Sequence, residues 1–287
     1  MRVSAGFAAV LLLLTPGLAS AQLPLEAVGS RAQGMAGAFV AVADDASAPF
    51  WNPAGLATGG PVGAVIDWTR FQNGNRSSVF GGLGSWPLGL SYLRQSATFQ
   101  GSRFTSSTFG VNVLQTVVED FVVGANLKLV HGTVEDAGAH SSNEFDLDLG
   151  AMANFQKVRV GLTLKNLRQP EFTNAAGIAI KVPREVRAGV AVLPKDGVTL
   201  ALDLDLDTVG LWDGPRRGIA IGGETRVSKR VMARGGVRWN LEDDLNRPAY
   251  SAGGSLQLSA SSWLDAHYTY SENRRERAYG VALRAGF

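Results

Sequence analysis

At 287 residues the chain suits one large barrel or two smaller domains, and no linker divides it, so one domain is expected. A formal net charge of +2, evenly spread, argues against a nucleic-acid partner, and the absence of cysteine excludes both a disulfide framework and a lipid-anchored cysteine. Thirty-five glycines and few helical patterns point to an all-β chain. Residues Met1–Ala21 carry Arg2, an apolar run through Leu11–Leu14 and then Ala19-Ser20-Ala21. That order predicts a secretory signal peptide removed before Gln22. Pro16, Gly17 and the short apolar core speak against a retained membrane helix, which needs ~20 apolar residues. Any membrane span must therefore be built from strands.

The stretch Arg31–Ala57 is glycine- and alanine-rich, and its only charges are Arg31, Asp44 and Asp45. Asn52 is expected to cap a helix that starts at Pro53 and runs through Ala54, Gly55 and Leu56. Asp44 and Asp45 are expected to cap a short turn through Ala46–Ala48 in the same way. Gly34 and Gly37, with Ala36 between them, let backbone pack closely, as a segment inside a narrow lumen requires. On these local features alone an ordinary capped surface loop remains equally open.

The same string, with its GMAGAFVAVADDASAPFWNPAGLA run, resembles the N-terminal signature of the FadL-type superfamily of outer-membrane barrels. It looks closest to the PorV/PorQ-like branch. Asn52-Pro53-Ala54 is similar to the tripeptide in the hatch of the fatty-acid transporters. The resemblance implies a fourteen-stranded barrel with an N-terminal plug, or hatch, in its lumen. The implied organisation is a signal peptide at 1–21, an N-terminal periplasmic and plug segment at 22–60, and a transmembrane barrel over 61–287. This chain is shorter than the fatty-acid transporters, with little room for their long surface helices.

From Val62 onward about fourteen segments have the ~9–11 residues that a tilted membrane strand needs. They are expected near 61–71, 78–85, 88–95, 104–117, 121–131, 144–154, 158–167, 184–193, 197–207, 217–227, 230–240, 248–258, 263–271 and 278–287. Val198, Leu200, Leu202, Leu204 and Leu206 share one face, opposite Thr199, Ala201, Asp203, Asp205 and Asp207. The same period of two separates Phe145, Leu147 and Leu149 from Asp146 and Asp148, and Val158, Val160 and Leu162 from Arg159 and Lys165. Short breaks (86–87, 119–120, 156–157, 228–229) alternate with longer connections (132–143, 168–183, 209–216, 241–247). An even number of strands then puts both ends of the barrel on the short-turn, periplasmic side. Aromatic residues fall at two levels. Trp86, Phe121, Phe155, Trp263 and Phe287 lie near the short turns, and Trp68, Phe145, Trp239, Tyr250, Tyr270 and Tyr279 near the long loops. Fourteen strands spaced ~4.8 Å and tilted ~40° give a backbone diameter of roughly 28 Å, wide enough for water unless the lumen is filled.

Tyr279, Val281, Leu283 and the terminal Phe287 share a face of the last segment, which resembles the signal read by the outer-membrane assembly machinery. The aspartates at 203, 205 and 207 invite a calcium reading, but a calcium loop needs a tight glycine turn and a distal glutamate, and these alternate along a strand. They are expected instead to form an acidic row facing Arg187, Arg226, Arg234 or Arg238. Asp146 and Asp148 are expected to pair with Lys128 on one side and with Arg159 and Lys165 on the other, keeping the lumen polar and holding the plug. Asp265 and His267 share a face and suggest half of a hydrolase triad, but no nucleophile motif accompanies them, so no enzyme is expected.

The sequence reading is therefore an outer-membrane barrel of a Gram-negative (diderm) bacterium, without cofactor or metal. Its expected partners are outer-membrane lipid and the assembly machinery, together with either a hydrophobic small molecule taken up through the barrel or a secretion-system protein docked on a non-transporting, PorV-like scaffold.

Overall fold

The computed structural model describes residues 21–22, 28–72, 76–99, 102–135, 139–173, 179–211, 214–242, 247–272 and 276–286. The signal-peptide reading (apart from Ala21) and the terminal Phe287 lie outside these residues. In chain order the elements are β1 (Ala21–Gln22), α1 (Ser30–Gly34), α2 (Ala48–Trp51), a 3-10 turn (Gly55–Thr58), β2 (Val62–Phe71), β3 (Ser77–Ser85), β4 (Leu88–Phe99), β5 (Ser102–Val118), β6 (Phe121–Glu135), β7 (Ala139–Phe155) and β8 (Val158–Lys165). They continue with β9 (Glu171–Thr173), β10 (Ala179–Lys181), β11 (Glu185–Lys195), β12 (Val198–Asp205), β13 (Val209–Leu211), β14 (Gly214–Arg216), β15 (Gly218–Ser228), β16 (Val231–Asn240), β17 (Ala249–Gln257), β18 (Ser262–Ser271) and β19 (Ala278–Gly286).

Fourteen of these strands, β2–β8, β11, β12 and β15–β19, form one closed barrel in which every neighbouring pair is antiparallel. The seam joins β19 to β2, with Leu283 opposite Ile66. Closure satisfies the backbone of every strand, which a lipid environment demands. Alternation then decides which side chains face out. Ile66, Leu83, Phe109, Leu127, Leu200 and Tyr250 are exposed, whereas Asp67, Phe80, Asn112, Asn126 and Asp203 on the opposite parity are buried. An apolar outside and a polar inside is the pattern of a barrel set in lipid. Among the described residues no helix is long and apolar enough to cross a membrane.

The short connections sit at one end. At Asp120 (φ 66°) and Gln156 (φ 51°) a non-glycine residue takes the left-handed conformation that two-residue hairpin turns need. This costs a residue with a Cβ about 1–2 kcal/mol. Gln156→Gly is expected to stabilise the barrel by about 1 kcal/mol, read as a higher urea midpoint in detergent.

Three expectations change. The connection expected over 132–143 is mostly strand, because β6 and β7 continue their pairing to Glu135 and Ala139. With 17 residues each, β5 and β7 exceed the length that spans a bilayer and stand above it at the long-loop end. The connection over 168–183 contains the β9–β10 hairpin, whose Phe172 lies against Phe104, with ring centroids 5.5 Å apart, among the buried Val130 and Val134. Gly132 leaves the space for that ring. Trp263 has the parity of Asp265 and His267, not of the outward Leu264, so it leaves the expected turn-side aromatic level. Trp86 lies exposed in the β3–β4 turn, and the other described members of the two levels keep outward parity.

Candidate functional site

The N-terminal segment from Val28 to Leu56 is almost wholly buried, and its partners are inward-facing groups of the wall. Asp67 of β2 accepts hydrogen bonds from the backbone N–H of Gly29 (3.2 Å) and Ser30 (2.7 Å) and from the Ser30 hydroxyl (2.6 Å). Asp203 of β12 accepts from the N–H of Phe39 (2.8 Å) and Val40 (2.9 Å). Asn112 and Asn126 donate through Nδ2 to the carbonyls of Pro53 (3.0 Å) and Pro49 (3.2 Å). These bonds satisfy backbone groups that a non-helical segment would otherwise bury unpaired.

Asn52 does not start a helix. It closes the short helix α2, and its backbone is extended (φ −155°, ψ 108°). The proline at the start of that helix is Pro49, not Pro53. The fully buried Asn52 side chain instead clamps segment to wall: Nδ2 donates to Val40 O (3.0 Å) and Ala151 O (3.1 Å), and Oδ1 accepts from Ala54 N–H (3.1 Å). Asp45 does hold the turn before α2, accepting from the N–H (2.9 Å) and hydroxyl of Ser47. Asp44 caps nothing and pairs with Arg31 and with Arg159 (3.3 Å). Among the segment's glycines, Gly37 needs its residue type for φ +83°, and a Cβ on Gly55 would collide with the Ala43 carbonyl.

Arg31 is the electrostatic centre. Its guanidinium reaches Asp44, Asp45 (3.1 Å) and Glu224 (Nε to Oε2, 3.1 Å), and stacks over Phe39 at 5.2 Å. Glu224 also takes Arg234 (2.8 Å), Arg234 takes Asp265 (3.3 Å), and Asp265 takes Arg284 (3.1 Å). A buried row of alternating charge thus runs from the segment across β15, β16, β18 and β19. Burial pushes the Asp45 carboxyl up, but Arg31, then Arg284, and the Ser47 hydrogen bonds outweigh it and hold it below its ordinary range.

The expected pairings redistribute accordingly. Lys128 does meet Asp146 (2.7 Å) and Asp148 (2.6 Å), but Arg159 goes to Asp44 and Lys165 to Glu185 (3.9 Å). What the Lys128 cluster holds is the connection before β9. Asp148 accepts from Asn166 N–H (2.7 Å), Asp146 from Arg168 N–H (3.1 Å), and Lys128 donates to Asn166 Oδ1 (2.7 Å). Of the acidic row, Asp205 pairs with Arg187 (2.5 Å), while Asp207 accepts from Val186 N–H (3.1 Å). Arg234 belongs to the Glu224 row, Arg238 lies 3.9 Å from Glu276, and Arg226 lies at the exposed end of β15. Asp265 and His267 form no hydrogen bond with each other, since the carboxylate is taken by Arg234, Arg284 and Ser255.

Sequence reasoning missed Asp67, Glu224, Asn112 and Asn126, and above all the inward glycines. A Cβ on Gly161 would lie 2.6 Å from Val40 O, and one on Gly236 2.6 Å from the Met35 carbonyl carbon. Gly82 and Gly222 would meet the Ala46 and Met35 carbonyl oxygens well inside contact distance. Gly84 and Gly89 make the same room for Leu56. The available signal was glycine on the lumenal parity of strands whose other face is apolar.

Among the described residues, cavities border the segment at both ends of the barrel. One of about 50 Å³ at the long-loop end is bordered by Phe50, Phe80, Leu93, Asn126, Lys128 and Val182. The other, about 280 Å³ and open at the turn end, is bordered by Ala57, Thr58, Thr116, Val122, Met152 and Asn154.

A closed antiparallel barrel with this outer face is an outer-membrane β-barrel. Its fold is shared with solved hydrocarbon-channel barrels. The chain superposes on the CymD monoaromatic hydrocarbon channel with a TM-score of 0.70 at 15% identity, over 91% of this chain and 97% of that one. For the toluene transporter TbuX of Ralstonia pickettii the values are 0.68, 13%, 92% and 99%. For a Pseudomonas aeruginosa FadL homologue they are 0.66, 10%, 94% and 100%. At such identities the likeness is one of fold. A family model described as "F plasmid transfer operon, TraF, protein" matches residues 87–205, short of half the chain. No curated protein sequence matches.

Proposed function

We propose that this protein admits small hydrophobic solutes through an outer-membrane barrel whose lumen is plugged by Val28–Gly59. The observation that carries the reading is the fit between segment and wall: the inward glycines, asparagines and carboxylates named above, on nine strands, hold one glycine- and alanine-rich piece of chain. A second support is the FadL-type fold shared with channels described as carrying monoaromatic hydrocarbons. Lipid is the partner of the outer face, and the assembly machinery reads the last strand, where Tyr279, Val281 and Leu283 share the exposed side. The chemistry is passage, not catalysis. No observation favours the alternative, a PorV-like docking scaffold, over it.

The test replaces Asn52-Pro53-Ala54 by Gly-Ser-Gly. Loss of the Asn52 clamp is expected to change the rate at which a Gram-negative host takes up toluene. Uptake by the wild type no faster than by the empty host, and unchanged in the variant, would overturn the proposal.

A further inference from the structure

On the outer face of β4–β7 the side chains change character between two adjacent rungs. Tyr92, Phe109, Leu129 and Phe145 are register partners across the four strands, and all four are exposed. The next outward rung, two residues nearer the long loops, is Arg94, Ser107, His131 and Asn143. The rung after that carries a hydroxyl on every strand, from Ser96, Thr105, Thr133 and Ser141. The switch falls at the height where lipid chains end. Val118 to Phe109 is ten residues. At ~3.3 Å each and a tilt of ~40° they rise roughly 25 Å, the height of a barrel's apolar band.

Above that level these strands go on. β5 and β7 have 17 residues and β6 has 15, against 9 in β3 and 8 in β8 on either side. The polar rungs therefore stand directly over an apolar wall. They are also cationic. Arg94 is exposed and makes no ion pair among the described residues. Arg103 donates from Nε to Ser96 (3.2 Å), which brings its guanidinium back over β4, two residues from Arg94. The Tyr92 hydroxyl donates to Ser107 Oγ (3.3 Å), and His131 Nδ1 is held by Asn143 Oδ1 (2.8 Å). Among the described residues of these strands the one carboxylate of outward parity is Glu135, at the far end opposite Arg103. Glu144 shares the inward parity of Asp146 and Asp148.

We propose that this face seats a phosphorylated, acylated sugar lipid of the outer leaflet. The acyl chains lie against the rung from Tyr92 to Phe145, the phosphate takes Arg94 and Arg103, and the sugar meets the serine and threonine hydroxyls. Arginine suits the phosphate because its planar fork gives paired, charge-assisted hydrogen bonds. The hydroxyl rung decides between lipid classes. A simple glycerophospholipid headgroup ends near its phosphate, whereas a sugar lipid continues up the strands. The proposal needs only the outer-membrane location and is independent of the uptake reading.

The test is native mass spectrometry of the full chain purified in detergent, with heat-modifiable mobility as the check on folding. The added probes are diphosphoryl lipid A, the same lipid with its phosphates removed, and phosphatidylglycerol. The wild type is expected to retain diphosphoryl lipid A in preference to the other two. Arg94→Gln with Arg103→Gln should weaken that retention about tenfold, the least that losing charge-assisted hydrogen bonds to phosphate implies. Lys229→Gln with Arg230→Gln, the same loss of charge in an exposed short turn, should leave it unchanged. Where the Arg94 and Arg103 variant fails to fold, Ser107→Glu sets a carboxylate beside Arg94 and should weaken retention likewise. Retention by either folded variant equal to that of the wild type overturns the site, as does a loss matched by the short-turn control. Equal retention of the dephosphorylated lipid overturns the role of phosphate, and equal retention of phosphatidylglycerol overturns that of the sugar.

Discussion

Replacing Gly82 and Gly222 together by alanine is expected to make the barrel conduct ions. Each added methyl meets a carbonyl oxygen of the N-terminal segment, Ala46 on one side of the lumen and Met35 on the other. Carbonyls fixed in backbone have nowhere to go. Overpacking of this kind costs about 1–3 kcal/mol per site, comparable to the few hydrogen bonds holding the segment at each point. The segment should shift, uncovering a lumen of roughly 28 Å backbone diameter that the side chains alone do not close. Planar-bilayer recordings give the readout, and Gly81→Ala is the control, because a Cβ there meets nothing within 4 Å. Conductance in the double variant equal to that of the control would mean that the glycine fit does not hold the segment.

The second large effect concerns Arg31. Arg31→Met leaves Asp44, Asp45 and Glu224 without their shared cation, and removing one partner of a buried pair costs about 3–5 kcal/mol. The loss falls on the contact between segment and β15 and not on the barrel, whose strand pairing is untouched. Amide exchange over residues 28–45 is therefore expected to accelerate strongly while the strands stay protected. Adding Glu224→Leu to Arg31→Met should return part of that protection, because Arg234 keeps Asp265 as its partner and the buried carboxylate that lost one of its two cations is gone. The pH dependence has a defined sign. The Asp45 carboxyl lies below its ordinary value in the folded chain, so its contribution is complete above the unfolded pKa of about 4 and is lost as pH falls through the folded value. Loosening of the segment on acidification, absent from Arg31→Met, checks it. Equal exchange at every pH, with and without Arg31, would remove Arg31 as an anchor.

The barrel was legible because a period of two is set by backbone geometry and by the solvent on each face. Leu200, Leu202 and Leu206 against Asp203 and Asp205 needed no partner to be read. Strand ends followed from turn residues, except where β6 and β7 run on past the membrane. There His140 to Asn143 is polar on both faces, so a strand in water looks like a loop. Pairing was far less legible. Arg159 spends its charge on Asp44 of the N-terminal segment and Lys165 on Glu185, its register partner on the neighbouring β11, and the choice among carboxylates depends on how the N-terminal segment lies against the wall, which no local pattern encodes. Asn52 shows the same limit. Its sequence neighbourhood is that of a helix cap, yet the wall carbonyl of Ala151 and the segment's own Val40 compete for the amide and win. Glycines on the lumenal parity of the wall drew no reading from the sequence, and in the structure they are clearance.

The seam between β19 and β2 has a consequence for biogenesis. The last strand made completes the cylinder, and the first strand it meets is tethered directly to the interior piece. That piece bonds to β2, β5, β6, β7, β8, β12 and β15, so it cannot be threaded through a finished ring without breaking contacts on every side. It must already be docked on the growing curved sheet when the two edges zip together. The sheet therefore closes as a half-pipe with its contents in place, and errors in the segment from Val28 to Leu56 should surface as sheets that never shut.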